Sequence, residues 1–101
     1  MLLSSICTRI IYMNRYLIIY KGIVQGVGFR WRILQIANEL NVTGYVTNKL
    51  DGSVLVEVQG NKEEIKAFLA KSLSLHGFVQ IEDYSTKQID VINDERTFTV
   101  R

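Results

Sequence analysis

With 101 residues, 48% of them hydrophobic and 22% charged, the chain has the composition of one globular domain and lies outside the disordered, collagen-like and coiled-coil extremes. Its net charge of +2 is too small to call for a polyanionic partner, which leaves a small anion open. The single cysteine, Cys7, and single histidine, His76, exclude an internal disulfide and are too few for a transition-metal cluster, so the expectation is a cytoplasmic protein with no metal and no cofactor.

Along the chain, residues 1–12 (MLLSSICTRIIY) come first. No positive n-region precedes Leu2 and Leu3, which argues against a secretory signal. A start at Met13 would leave 101 − 12 = 89 residues, so residues 1–14 read as an extension, disordered or from an upstream start, and residues 15–101 as the domain. The apolar-leaning stretch over residues 10–20 is broken by Asn14 and Arg15 and falls short of the ~20 apolar residues that span a bilayer. No membrane partner is expected.

Residues 15–24 (RYLIIYKGIV) are rich in β-branched and aromatic side chains and end at a glycine-rich QGVG, a strand running into a loop. Phe29, Ile33, Ile36, Ala37 and Leu40 then recur at helical spacing, with Arg32, Gln35, Asn38 and Glu39 opposite, which predicts a helix over 29–40. Residues 43–48 and 53–59 form a predicted hairpin turned by Asp51-Gly52, with Val54, Val56 and Val58 on one face. Asn61 and Glu64 have capping-box spacing ahead of Ile65, Phe68, Leu69 and Leu73, which predicts a helix over 62–74. Val79 and Ile81 alternate with Gln80 and Glu82 in a fourth strand, the run 90–95 reads as a solvated loop, and TFTVR (97–101) reads as a short last strand. The order β-α-β-β-α-β plus one strand predicts an α+β, two-layer sandwich of split β-α-β type, an antiparallel sheet with both helices on one face.

The segment most suited to chemistry is GIVQGVGFR (22–30), which joins a strand directly to a helix. Its glycines permit positive φ, so successive N–H groups can turn inward as an anion nest, and the opening helix adds its own unpaired donors and positive dipole end. Arg30 falls in the first turn, where a cation is disfavoured unless an anion offsets it; a phosphate would, through paired hydrogen bonds with the guanidinium. The same pattern, taken alone, also fits a tight turn beside a surface arginine. No GK[ST] follows and the glycine spacing is not GxGxxG, so nucleotide binding is poorly supported. Trp31 and Tyr45 read as core or sheet-surface packing and stay outside the candidate site; His76, beside Gly77, reads as a capping or solvated residue.

GIVQGVGFR resembles the GxVQGVxFR signature of the acylphosphatases, and GYVTNKLDGSVLVEVQG (44–60) is similar to their second signature. The separation of Arg30 and Asn48, 48 − 30 = 18 residues, also matches the family. The resemblance covers residues 15–101 and implies a ferredoxin-like fold. It implies that the backbone of Gln25, Gly26, Val27, Gly28, Phe29 and Arg30, with the Arg30 guanidinium, binds phosphate, and that the Asn48 side-chain carbonyl orients the attacking water. Arg30 and Asn48 are thus the expected catalytic residues. Thr47, where the family usually has a basic, Gln, Ala or Met residue, and HGFV after the second helix depart from the family pattern without touching either position.

The reaction implied is metal-independent hydrolysis of the carboxyl-phosphate bond of a small acyl phosphate by a monomer, with no nucleic-acid partner and broad acyl specificity. The alternative is a non-catalytic phosphate- or RNA-binding module on the same fold. An RNA module predicts aromatic residues on the central strands, and residues 53–59 contain none. A carbamoyl-phosphate role, as in the acylphosphatase-like domain of a hydrogenase-maturation protein, belongs to a far longer chain.

Overall fold

In the computed structural model, which describes residues 13–101, the first strand β1 (Asn14–Ile23) alternates between two faces. Tyr16, Ile18 and Tyr20 turn toward the core, while Arg15, Leu17 and Ile19 take the other side. The chain continues through α1 (Phe29–Leu40), β2 (Thr43–Asn48), β3 (Val54–Gly60), α2 (Lys62–Leu73), β4 (Gln80–Ile89) and β5 (Phe98–Val100). The first twelve residues, and with them most of the expected extension, lie outside the described residues. Asn14 belongs to β1 rather than to a separate segment.

The sheet order is β4-β1-β3-β2-β5. Four strands pair antiparallel, with Ile18 opposite Val56 and Val46 opposite Val56 from the other side. β5 joins β2 in parallel, so the expected antiparallel sheet is mixed at this one edge. The reason is topological: β5 returns from the far end of β4 and runs in the direction of β2.

Both helices lie on the face that carries Ile18, Tyr20, Val46, Val54, Val56 and Val58, and with Phe29, Ile33, Ala37, Ile65 and Phe68 these form one core. The ring of Phe29 meets Tyr20 edge-on at 5.2 Å. The Tyr20 hydroxyl shares a 2.6 Å hydrogen bond with Ser72 Oγ, which satisfies two buried polar groups across the layers; burial pushes the Tyr20 pKa well above its ordinary 10.0, against the hydrogen bond with Ser72, which lowers it. At the start of α2 the capping box forms as its spacing predicts: Asn61 Oδ1 accepts from the Glu64 N–H at 2.8 Å, and Glu64 Oε1 accepts from the Asn61 N–H at 2.9 Å.

The opposite face is uncovered by helix but not bare. Arg15, only 1% exposed, donates to Glu57 at 2.9 Å, to Gln59 at 3.1 Å and, through both terminal nitrogens, to Glu95 at 2.7 and 3.2 Å. Gln59 in turn exchanges two 2.9 Å hydrogen bonds with the backbone of Ile92. The segment 90–95, expected to be a solvated loop, is therefore fastened to the sheet at Ile92 and Glu95. A polar sequence hid this because the fastening uses an ion pair and amide hydrogen bonds rather than apolar contacts.

Candidate active site

Four chain segments converge at one end of the sheet: the last residues of β1 and β2, the hairpin leading into β3, and the start of α1. Gly22 belongs to the strand and not to the loop. It has φ +131° beside an irregularity in the β1–β4 register, and a Cβ there would stand 2.2 Å from the Gln80 carbonyl oxygen. The glycine loop that follows is anchored by buried Val24 on one side and buried Phe29 on the other.

Between those anchors Gly26 and Gly28 take left-handed φ values of +74° and +76°, and Gly28 is the N-cap of α1. A Cβ on either would meet nothing within 4 Å, so it is the backbone turn rather than crowding that calls for glycine. The Arg32 N–H is bonded to the Gly28 carbonyl at 3.2 Å, while the N–H groups ahead of it, in the first turn, have no intrahelical acceptor. That turn contains no acidic side chain. Donors and a positive helix end are thus left for an anion.

Gln25 has a role that the sequence did not reveal. Its Nε2 donates to the carbonyl of Lys49 at 2.7 Å and to that of Ser53 at 2.8 Å, tying the loop to the β2–β3 hairpin on which Asn48 sits. The hairpin is itself held by Asp51, whose Oδ1 accepts from the Ser53 N–H at 2.9 Å and from Ser53 Oγ at 2.6 Å. These hydrogen bonds hold the Asp51 carboxyl below its ordinary range, as suits turn chemistry rather than proton transfer. Arg30 is steadied separately, its Nη1 donating to the backbone oxygen of Arg101 at 2.9 Å. Arg101 is placed by its N–H bond to Val46 at 2.8 Å and by stacking of its guanidinium 4.0 Å from the centre of the Tyr45 ring. Tyr45 is a sheet-surface residue, as expected, and donates its hydroxyl hydrogen to Glu57 at 2.7 Å.

A cavity of about 150 Å³ is lined by Val24, Gly26, Gly28, Phe29, Arg30, Trp31 and Asn48. Of the expected site residues, Gly26, Gly28, Phe29, Arg30 and Asn48 meet there. Val27 turns instead to pack against the core, and Gln25 reaches the hairpin. Trp31 was read as packing, yet it is 62% exposed and lines this cavity. His76 is exposed, and its carbonyl accepts from Arg32 Nη1 at 2.6 Å. On the open face β1 and β3 present Leu17, Ile19, Leu55 and Glu57, which offer no aromatic platform for bases.

A two-layer α+β sandwich with a left-handed glycine loop between its first strand and first helix, and an arginine and an asparagine on the same cavity, defines the class. A family model described as acylphosphatase matches residues 16–100. An acylphosphatase of Clostridium acetobutylicum is 39% identical over 88 residues, covering 87% of this chain and 97% of that one. The crystal structure of acylphosphatase from Bacillus subtilis aligns with a TM-score of 0.83 at 27% identity, over 87% of this chain and 98% of that chain. T. kodakarensis HypF aligns with a TM-score of 0.78 at 34% identity, over 87% of this chain but only 12% of its own. The chain belongs to the acylphosphatase family.

Proposed function

We propose that the protein hydrolyses the carboxyl-phosphate bond of acyl phosphates, with Arg30 and the loop N–H groups holding the phosphoryl group and Asn48 orienting the attacking water. The observation that carries this reading is the shared cavity, which sets the αL glycine nest and Arg30 against Asn48. Water adds to phosphorus while the acyl C–O–P bridge breaks on its phosphorus side, giving a carboxylate and inorganic phosphate. The equatorial oxygens carry the transition-state charge. Preorganised N–H donors and the guanidinium stabilise that charge without reorganising.

Asn48 is an amide and too weak a base to deprotonate water, so its carbonyl aligns the nucleophile and a substrate phosphate oxygen takes the proton. Positioning of this kind is worth a large share of a hydrolytic rate enhancement. The positive charge needed is supplied by Arg30 and the helix end, so the reading includes no metal ion, and activity is expected to survive dialysis against EDTA. We further read the protein as a cytoplasmic monomer without a nucleic-acid or membrane partner. The net charge of +2 supports the reading without a polyanionic partner; among the described residues no helix is long and apolar enough to cross a membrane.

Hydrolysis of acetyl phosphate in ¹⁸O-labelled water tests the reading. The label is expected in inorganic phosphate. Label in acetate instead, or no turnover by the folded protein, would overturn it.

A further inference from the structure

The cavity that holds Arg30 and Asn48 has about 150 Å³, the share of liquid volume of roughly five water molecules. A phosphoryl group and one water take up much of that volume, so a broad acyl group extends to the rim, and the rim carries Trp31. Its ring is 62% exposed although it lines the same cavity, whereas Phe29, two residues earlier, is buried.

The surroundings are apolar in the same direction. Leu50 is fully exposed on the β2–β3 hairpin two residues past Asn48, and Phe78 is 85% exposed in the connection from α2 to β4. The bond from Arg32 to the His76 carbonyl ties that connection to the first turn of α1, which bears Arg30 and Trp31. Ile23, half-exposed at the end of β1, flanks the loop from the other side. Of the seven large hydrophobic side chains exposed among the described residues, these four stand at the phosphate end of the sheet. Apolar surface gathered at the mouth of a polar cavity marks a ligand surface rather than random exposure.

We propose that Trp31 is a specificity residue that stacks on the acyl group, and that the preferred substrates are acyl phosphates with an aromatic or comparably broad apolar acyl group. The proposal rests on the acyl-phosphate reading of this site. The phosphate cradle is common to every acyl phosphate and cannot discriminate among them; discrimination comes from whatever the acyl group covers. A phenyl ring laid on indole gains both buried apolar area and ring-on-ring contact, whereas an acetyl methyl is too small to cover the indole. The broad acyl specificity expected from the sequence is thereby replaced by a graded preference.

The test is steady-state hydrolysis of benzoyl phosphate and acetyl phosphate by the wild type, Trp31→Ala and Trp31→Phe. The readout is the ratio of kcat/KM for the two substrates within each protein, so the different intrinsic reactivities of the substrates cancel between proteins. Trp31→Ala is expected to lower the benzoyl-to-acetyl ratio about tenfold, chiefly through KM for benzoyl phosphate, and Trp31→Phe to restore most of it. A ratio within about twofold of wild type in Trp31→Ala would overturn the proposal, and is the result expected if the apolar end instead docks a membrane or a protein. Failure of the underlying reading is distinguishable: it is the loss of turnover on both substrates in the folded wild type, whereas turnover with an unmoved ratio sinks the Trp31 proposal alone.

Discussion

Gln25 is the side chain that ties the glycine loop to the hairpin of the proposed site. Its amide spans two carbonyls of the hairpin, so Gln25→Ala is expected to leave the loop and Asn48 free to shift relative to each other. A misplacement of about 1 Å costs on the order of 100-fold in rate. We expect kcat/KM to fall at least tenfold while stability to urea drops by only about 1 kcal/mol; an unchanged kcat/KM would remove Gln25 from the positioning role. The glycine loop and Arg30 were legible in the sequence because nest, helix start and cation are all local. Gln25 was not, since its partners are backbone carbonyls 24 and 28 residues away, which no side-chain pattern marks. Trp31 did leave a signal: it falls on the polar side of the α1 helical pattern, away from Phe29 and Ile33, where an indole has no core to enter.

At the scale of elements, α1, β2 and the start of α2 coincide with their sequence expectations because each has a strict period and a clear boundary residue. Asn61→Ala should cost about 1 kcal/mol in chemical denaturation by removing the N-cap acceptor, and no loss would mean that water replaces it. β4 was legible only in its first residues. From Asp83 to Gln88 its side chains are exposed on both faces, as befits an edge strand that neither helix covers, so the period-two alternation that reveals half-buried strands is missing. Gly22 lies within the expected strand, but its positive φ serves a pairing irregularity with β4, and the partner strand cannot be seen locally.

Across the whole molecule, the helix-covered core was legible as alternating valines and helical stripes, while the other side of the sheet was not. Arg15 and the two carboxylates it joins come from β1, β3 and the last connection. Burial works against the Arg15 charge, but the hydrogen bonds and charges of Glu95 and Glu57 outweigh it and hold its pKa above the ordinary value. Arg15→Ala leaves both acids without their cation and should lower stability by about 3 kcal/mol. For Glu57, burial would raise the carboxyl, yet hydrogen bonds from Tyr45 and Arg15 prevail and hold it below its ordinary 4.5. A depressed folded-state pKa contributes stability that is present above the unfolded value and lost as pH falls through the folded one. Unfolding free energy measured against pH should therefore decline below about pH 4.5, and Glu57→Gln should flatten that decline; an equally steep decline in the variant would assign the acid sensitivity to other groups.

The measurement that bears most directly on the central claim is benzoyl phosphate hydrolysis without added metal, by the wild type, Arg30→Ala and Asn48→Ala, each verified as folded by circular dichroism. Rapid turnover by the wild type, with kcat/KM reduced by about 100-fold or more in both variants, is the predicted result. A folded Arg30→Ala or Asn48→Ala protein that turns over at the wild-type rate would contradict the account.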